Sequence, residues 1–432
     1  SSSYMKVIRY PRKADWPTIL RRPSVDLKRI ETDVRGIVET VRREGDGALR
    51  RYTRAFDGVE ISDLKVTGQE FAAAERRISR DLASAIRFAH GNITRFHIVQ
   101  REPVRMIETS NGVTCWRRSV PIERVGLYVP AGTAPLFSTV LMLGIPAILA
   151  GCREIAIFTP PMSDGSVGDA ILFAAKTCGI STVYKVGGAQ AVAAMAYGTE
   201  SIRQVDKIFG PGNNYVTCAK QLVSSTVAID MPAGPSEVAI LADRSCEPVF
   251  VAADILSQAE HGPDSQAVLV SDNFEVIEKT VSEVGRQIVS LPRRKIAEAA
   301  ISNSIAVLVE DLTVGIDLIN EYAPEHLILA VTDADELADE VVNAGSVFLG
   351  NYSCESLGDY AAGTNHTLPT AGFVRSFSGV SLDSFFKKIT FQKVNADGIK
   401  SIGRAVELMA EAEGLEAHKR AVSVRLEAID GI

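Results

Sequence analysis

The stretch Ile122-Glu123-Arg124-Val125-Gly126-Leu127-Tyr128-Val129 decides the fold: an apolar, partly β-branched run that ends in Pro130-Ala131-Gly132 and leads into an uncharged segment from Ala134 to Cys152. A strand-length run, a glycine–proline loop and a helix-length run make one β-loop-α unit. The unit recurs. Strand-like runs at 154–158, 181–186, 205–209 and 226–230 alternate with helix-like segments at 135–151, 167–177, 188–198 and 213–223. Strands linked by helical crossovers pair in parallel, so this region reads as a doubly wound sheet. A second series follows, with strands near 236–241, 266–271, 304–309, 326–331 and 345–350 and helices near 248–261, 273–290, 311–320 and 334–343. The fold class is therefore α/β with two parallel sheets.

The flanks differ. Residues 1–24 read as an irregular arm, because Pro11, Pro17 and Pro23 prevent a long helix. Helical periodicity covers 26–56 and 70–96, with Ile78, Leu82 and Ile86 on one face. After Ser353 a loop-rich stretch runs to Phe377, followed by a short β-like region and a polar helix over 397–426.

Composition narrows the function classes. The 432 residues carry 46 basic and 53 acidic side chains, a net charge of -7, with no basic stripe interleaved with aromatics, so nucleic acid is not an expected partner. The Arg-Arg pairs at 21, 42 and 76 read as solvated helix faces. The six cysteines form no C-x-x-C pair, as expected of reduced thiols in a cytoplasmic protein. Ser1 to Lys6 opens no apolar secretory segment. The uncharged run 134–152 approaches the length of a membrane span, but Pro135, Gly144 and Pro146 and its place between strands make it a buried helix.

Three glycine loops end strands of the first series: 126–132, Gly187-Gly188-Ala189-Gln190 and Gly210-Pro211-Gly212-Asn213-Asn214. Such loops sit at carboxyl ends of parallel strands, where ligands bind and helix N-termini offer free N–H groups. None completes the dinucleotide fingerprint, since Tyr215 stands where the last glycine belongs. Each also reads as an ordinary turn between strand and helix.

Four of the six histidines, His261, His326, His366 and His418, lie in polar, glycine- or proline-punctuated settings with a carboxylate within a few residues. Imidazole titrates near neutral pH and ligates metals, so this pattern points to acid–base chemistry, metal binding or both. Gln258 and His261 share a helix face, as ligands or as a helix end whose dipole favours histidine. Asp359 and His366 occupy a glycine-rich loop, which serves binding or merely local turns. Glu325-His326 open an apolar strand, where neighbours point apart unless the chain turns. Glu413 and His418, five apart, lie about 140° around a regular helix and converge only if Gly414 breaks it. The donors are imidazole, carboxylate and amide oxygen, a set suited to zinc or a similar divalent ion.

The chain resembles the histidinol dehydrogenase family along its length. The matching stretches are GLYVPAGTAPLFSTVLMLGIPA (126–147), VGGAQAVAAMAYGTESI (186–202), VDKIFGPGNNYVT (205–217), IDMPAGPSEVAILAD (229–243), LSQAEHGPDSQ (256–266), NEYAPEHLIL (320–329), ESLGDYAAGTNHTLPT (355–370) and EAEGLEAHKRAV (411–422). The resemblance implies a zinc-dependent oxidation of L-histidinol through histidinaldehyde to L-histidine with two NAD+, closing histidine biosynthesis. It implies Gln258, His261 and Asp359 as zinc ligands, with His418 supplied by the other subunit of a homodimer. Substrate contacts are implied at Ser236, His326, Tyr360, His366 and Glu413 as well as at those ligands, and NAD contacts at Tyr128, Gln190 and Asn213. His326 is implied as the base and Glu325 as the group that activates water.

The resemblance also implies two incomplete Rossmann-like domains: a discontinuous one of 25–127 with 238–380, and a cofactor-binding one of 128–237. The arm 1–24 and the segment 381–432 then serve dimerisation, the latter reaching the partner's site. Departures from the family pattern are small: Cys354 stands where proline is common, and Ala371 at a variable position. The competing reading is a related dehydrogenase that oxidises another alcohol to an acid, such as a sulfonated diol. His366 and Glu413 favour histidinol, because both of the family's contacts for it are present.

Overall fold

A computed structural model describes residues 5–131 and 135–431, so Gly132 of the first glycine loop and the serines at the N-terminus lie outside the described residues. The first series forms a five-stranded sheet in the order Thr182–Tyr184, Glu154–Phe158, Arg124–Tyr128, Lys207–Phe209 and Ala228–Ile229, parallel throughout. The second forms a six-stranded parallel sheet in the order Lys6–Arg9, Ile305–Leu308, Gln266–Ser271, Glu237–Ala242, His326–Ala330 and Ser346–Leu349. The central strands Glu237–Ala242 and Gln266–Ser271 are buried along their whole length, as strands covered on both faces must be.

The arm is not irregular throughout. Its residues Lys6–Arg9 pair with Ile305–Leu308 and supply an edge strand, after which Trp16 and Leu20 enter the core beside Tyr322. The N-terminal helices pack against helices of the first series. Lys28–Glu44 buries Val34, Val38 and Val41 in the same core as Ala191, Val192 and Val216, and Arg80–Ile98 buries Ile86 and Ile93 with Leu141 and Met142. Both cores belong to the five-stranded sheet and its helical layers.

Residues 107–121 and 386–394 add a sheet that the alternation does not reveal. Ile107–Ser110, Val113–Pro121 and Phe386–Val394 pair antiparallel, the last two over nine residues. Phe385, just before this last strand, stacks on Phe209 with ring centroids 4.1 Å apart and ties the C-terminal segment to the five-stranded sheet. The polar C-terminal helix is two helices, Ala396–Ala412 and Glu416–Ile429, broken at Gly414, whose φ is +74°.

The uncharged run becomes the helix Phe137–Ala150, buried on nearly all sides. Among the described residues no helix is long and apolar enough to cross a membrane.

Gly210 shows how closely the loops at the carboxyl edge are packed. Its φ is +126°, and a Cβ there would lie 2.2 Å from the carbonyl oxygen of Tyr128. Gly179 is also left-handed, at φ +86°, yet has open space around it. Gly210→Ala is therefore expected to lower unfolding free energy by on the order of 3 kcal/mol, against about 1 kcal/mol for Gly179→Ala. Urea unfolding of the two variants measures the difference, and equal losses would show that the close approach to Tyr128 carries no cost.

Candidate active site

The carboxyl edge of the five-stranded sheet opens into a cavity of about 840 Å³ lined by Tyr128, Gln190 and Asn213 on one side and by His261 and Tyr360 on the other. Tyr128 ends its strand; its hydroxyl oxygen accepts the Gly188 N–H at 2.9 Å, and burial pushes the phenol up to about 12. Gln190, in the first turn of Gly188–Tyr197, is buried with no hydrogen-bond partner at Oε1. Asn213 caps the helix Asn214–Val223 by accepting the Val216 N–H at 3.0 Å. Its amide nitrogen has no part in the cap.

The other wall comes from the amino edge of the six-stranded sheet, not from the carboxyl edge where ligands of such sheets usually lie. Ser236 precedes the strand Glu237–Ala242, and Glu325 and His326 begin the neighbouring one, with His326 level with Val238. The helix Pro248–Ala259 runs back from the carboxyl edge, so Gln258 and His261 arrive at the same end as Glu325. Glu355 and Asp359 stand one turn apart on the helix Glu355–Tyr360.

These groups converge. One ligand atom each from His261, Glu355 and Asp359 lies within 4.8 Å of the others. His326 Nδ1 is 2.9 Å from Glu355 Oε1, 3.1 Å from the carbonyl oxygen of Glu237 and 3.4 Å from Glu325 Oε1, while Nε2 is 3.9 Å from Asp359 Oδ1. Because Nδ1 is surrounded by acceptors, it carries the hydrogen of the neutral ring. The lone pair is then on Nε2, a buried atom without a hydrogen-bond partner.

Burial opposes a charge on His326, yet Glu355 and Glu325 overcome it and raise its proton affinity well above the ordinary histidine value. Burial also drives Glu325 well above the usual carboxylate range, His326 opposing and Glu237 and Glu355 adding to the rise. Asp359 is pushed up to about 7, by burial first and by Glu355 next. His261, whose exposed surface faces the cavity, has its proton affinity lowered chiefly by burial, which favours the neutral ring that a metal requires.

Gln258 gives the sharpest sign that something is meant to bind here. Its side chain is completely buried, and neither amide atom has a hydrogen-bond partner. A buried amide without partners costs several kcal/mol unless a ligand completes it. Amide oxygen, imidazole and carboxylate together fit a divalent cation.

Two expected residues stay apart. Glu413, which ends the helix Ala396–Ala412, and His418 are both exposed, line no part of the cavity and stand outside the cluster. Two other residues escaped the sequence reading. Glu355 is spaced from Asp359 so as to share its helix face, a pattern present in ESLGD but indistinguishable from an ordinary acidic helix start. Arg22 is no solvated arginine: it is ion-paired with the buried Glu237, Nε to Oε2 at 2.6 Å.

Residues 20–426 match the family described as histidinol dehydrogenase. A histidinol dehydrogenase of Bacteroides thetaiotaomicron is 56% identical over 423 residues, 98% of this chain and 99% of that one. One from Aliivibrio fischeri is 49% identical, covering 95% of this chain and 93% of the relative. Among solved structures, histidinol dehydrogenase from Elizabethkingia anophelis is 50% identical with a TM-score of 0.98 and covers both chains completely.

His366 sits behind Asp359. Its Nδ1 is 3.0 Å from the Asp359 carbonyl oxygen and its Nε2 3.5 Å from Thr139 Oγ1, and burial lowers its proton affinity to about 4, so the ring is neutral at neutral pH. The preceding Asn365 is held by the Met142 carbonyl at 2.7 Å and by His97 Nε2 at 3.3 Å. His97 Nδ1 donates in turn to the Ile93 carbonyl at 2.8 Å, and burial lowers its proton affinity. The folded chain therefore refuses a proton that the unfolded chain takes below about pH 6.5, so this contribution to stability is present above that pH and lost as pH falls. His97→Gln is expected to flatten the fall in unfolding free energy between pH 6.5 and 5 by up to about 1.4 kcal/mol per pH unit. Urea midpoints across this range measure the slope, and an unchanged slope would mean that His97 titrates alike in both states.

Proposed function

The chain belongs to the histidinol dehydrogenase family, whose reaction oxidises histidinol in histidine biosynthesis, and from that premise we propose a zinc- and NAD-dependent, four-electron oxidation of L-histidinol to L-histidine through histidinaldehyde in the cytoplasm. The observation that carries the reading is His326, with its unpartnered Nε2 beside the His261–Glu355–Asp359 cluster and the orphaned amide of Gln258.

Gln258, His261 and Asp359, with His418 of the partner subunit, would hold the zinc, which when bound would anchor the substrate's imidazole and amino nitrogens and favour the neutral form of His326. Tyr128, Gln190 and Asn213 would hold NAD+, the acceptor of each hydride. Ser236, Tyr360, His366 and the partner subunit's Glu413 would orient histidinol. In the first step His326 Nε2 takes the hydroxyl proton as the carbinol hydride leaves, which gives the aldehyde. Glu325, whose raised proton affinity makes its carboxylate the stronger base, then takes a proton from water as its oxygen adds to the aldehyde carbon. As water adds, His326 returns its proton to the former carbonyl oxygen, and it then removes a proton from the hydrate as the second hydride leaves. One alcohol, one water and two NAD+ thus become one carboxylate, two NADH and three protons.

Four observations support the details. The cavity beside the cluster reaches Tyr128, Gln190 and Asn213, so a nucleotide and an alcohol at the cluster share one space. No residue of Glu416–Ile429 is buried within the chain, as expected of a helix covered by a second copy. All six cysteines are free, as a reducing compartment leaves them. His366, neutral and beside Asp359, favours histidinol over a sulfonated diol, since a neutral ring gives a sulfonate no counter-charge.

The purified protein is expected to form two NADH per L-histidinol consumed and to lose activity with a strong chelator; no NADH from histidinol with zinc present would refute the substrate. His326→Asn should slow turnover by on the order of 10²- to 10⁴-fold with zinc content unchanged, whereas parallel loss of zinc would make His326 a ligand. Mixing inactive His418→Ala and Gln258→Ala chains should restore activity in heterodimers, and recovery no higher than either variant alone would place His418 in its own chain's site.

A further inference from the structure

We propose that Arg22, delivered by the N-terminal arm, is a positioning residue for Glu325, and that the arm thereby governs the second oxidation more than the first. This inference rests on the role given to Glu325 above.

The guanidinium of Arg22 joins two segments that no covalent bond holds together. It forks onto Glu237, Nε to Oε2 at 2.6 Å and Nη2 to Oε1 at 3.0 Å. The same Nη2 also donates to the carbonyl oxygens of Tyr322 at 2.5 Å and Ala323 at 3.1 Å, and the guanidinium carbon lies 4.1 Å from the centre of the Tyr322 ring. Ala323 is left-handed at φ +56°, an uncommon conformation for a residue with a side chain, and so needs support from its surroundings. Pro324 follows it, and then Glu325. The turn that Arg22 braces is the turn that delivers Glu325 to the site.

Glu237 and Glu325 also hold each other. The Glu325 N–H donates to Glu237 Oε1 and the Glu237 N–H to Glu325 Oε2, each at 3.3 Å. Both side chains are buried, so two carboxylates bonded to each other's backbone repel unless one is matched by a cation. Arg22 supplies that match to Glu237. Without it, Glu237 becomes a buried, uncompensated charge beside the group that must accept a proton from water, and the Ala323 turn loses its donor. His326 is less exposed to the loss, because its Nδ1 contacts the backbone carbonyl oxygen of Glu237 and lies 2.9 Å from Glu355, and neither contact involves the Glu237 carboxylate that Arg22 holds.

The test uses the zinc-loaded, full-length protein and measures the two half-reactions separately: single-turnover NADH formation from L-histidinol, and steady-state oxidation of supplied L-histidinaldehyde. Arg22→Ala should lower kcat for the aldehyde by at least about tenfold, while the first hydride transfer, zinc content and KM for the aldehyde stay within about threefold. Adding Glu237→Gln to Arg22→Ala should restore most of the aldehyde rate, because the uncompensated charge is gone. Arg22→Lys should fall between, since a lysine carries the charge without the fork. If Arg22→Ala does not fold, Arg22→Lys alone decides by the same ratio of half-reactions. Equal loss in both half-reactions, or no restoration by Glu237→Gln, would overturn the proposal. Glu325→Gln with Arg22 intact separates the two failures. Selective loss there without selective loss at Arg22 refutes only the positioning role, whereas an unimpaired Glu325→Gln refutes the reading of Glu325 and this proposal with it.

Discussion

Glu325, Glu355 and Asp359 surround one imidazole, the Glu237 carboxylate accepts the Glu325 N–H beside them, and a protein interior cannot hold four such charges without cations or protons to match them. Each is settled differently. Glu237 takes the guanidinium of Arg22, and Glu355 takes the proton-bearing side of His326. Glu325 keeps a raised proton affinity, and Asp359 holds a proton up to about 7. What the chain leaves unmatched is therefore on the side of Asp359, where His261 and the unpartnered Gln258 also lie. In the proposed reading this cluster exchanges protons for zinc, with affinity that rises as Asp359 ionises.

The position of the site follows from the opposite orientation of the two sheets toward it. The five-stranded sheet presents its carboxyl edge, with loops that turn on residues such as Gly210. The six-stranded sheet presents its amino edge, where the return of Pro248–Ala259 brings a helix C-terminus. A helix C-terminus favours a charged histidine, and on that ground the spacing alone reads His261 as a helix end ahead of a ligand. Burial of the ring opposes that charge and lowers its proton affinity, and in the proposed reading the neutral imidazole is a zinc ligand.

How much of this was legible in the sequence varies with the reach of the interaction involved. The strands at 122–129, 266–271 and 326–331 announce themselves because each is a short apolar run between turn residues, a local signal. The antiparallel sheet of 107–121 with 386–394 does not, because its strands are half exposed and its longest pairing spans more than two hundred residues of chain. The same limit applies at the site. Gln258 and His261 share a helix face and were readable together, whereas Glu355 gains its meaning from His326, on another strand. Arg22 misled outright: beside Arg21 it has the local pattern of a solvated pair, and only Glu237, 215 positions away, makes it a buried ion pair. The family resemblance supplied the roles of single residues, which neither periodicity nor spacing carries.

The C-terminal helices pose the remaining structural question, because they are well formed yet poorly covered. Ala396–Ala412 and Glu416–Ile429 pack mainly on each other, and Leu408, Met409, Leu415 and Val424 remain exposed. Apolar side chains so distributed are costly to leave in water, which gives the segment a reason to associate. The break at Gly414 places Glu413 at the end of one helix and His418 in the first turns of the next, so one bend presents both polar groups together. In the proposed reading, the partner's copy of this bend completes a set of donors that one chain leaves open at Gln258, His261 and Asp359. Association would then be a condition of the chemistry as well as a way to cover apolar surface. The same association would set the metal's last protein ligand and a contact to the substrate in one step.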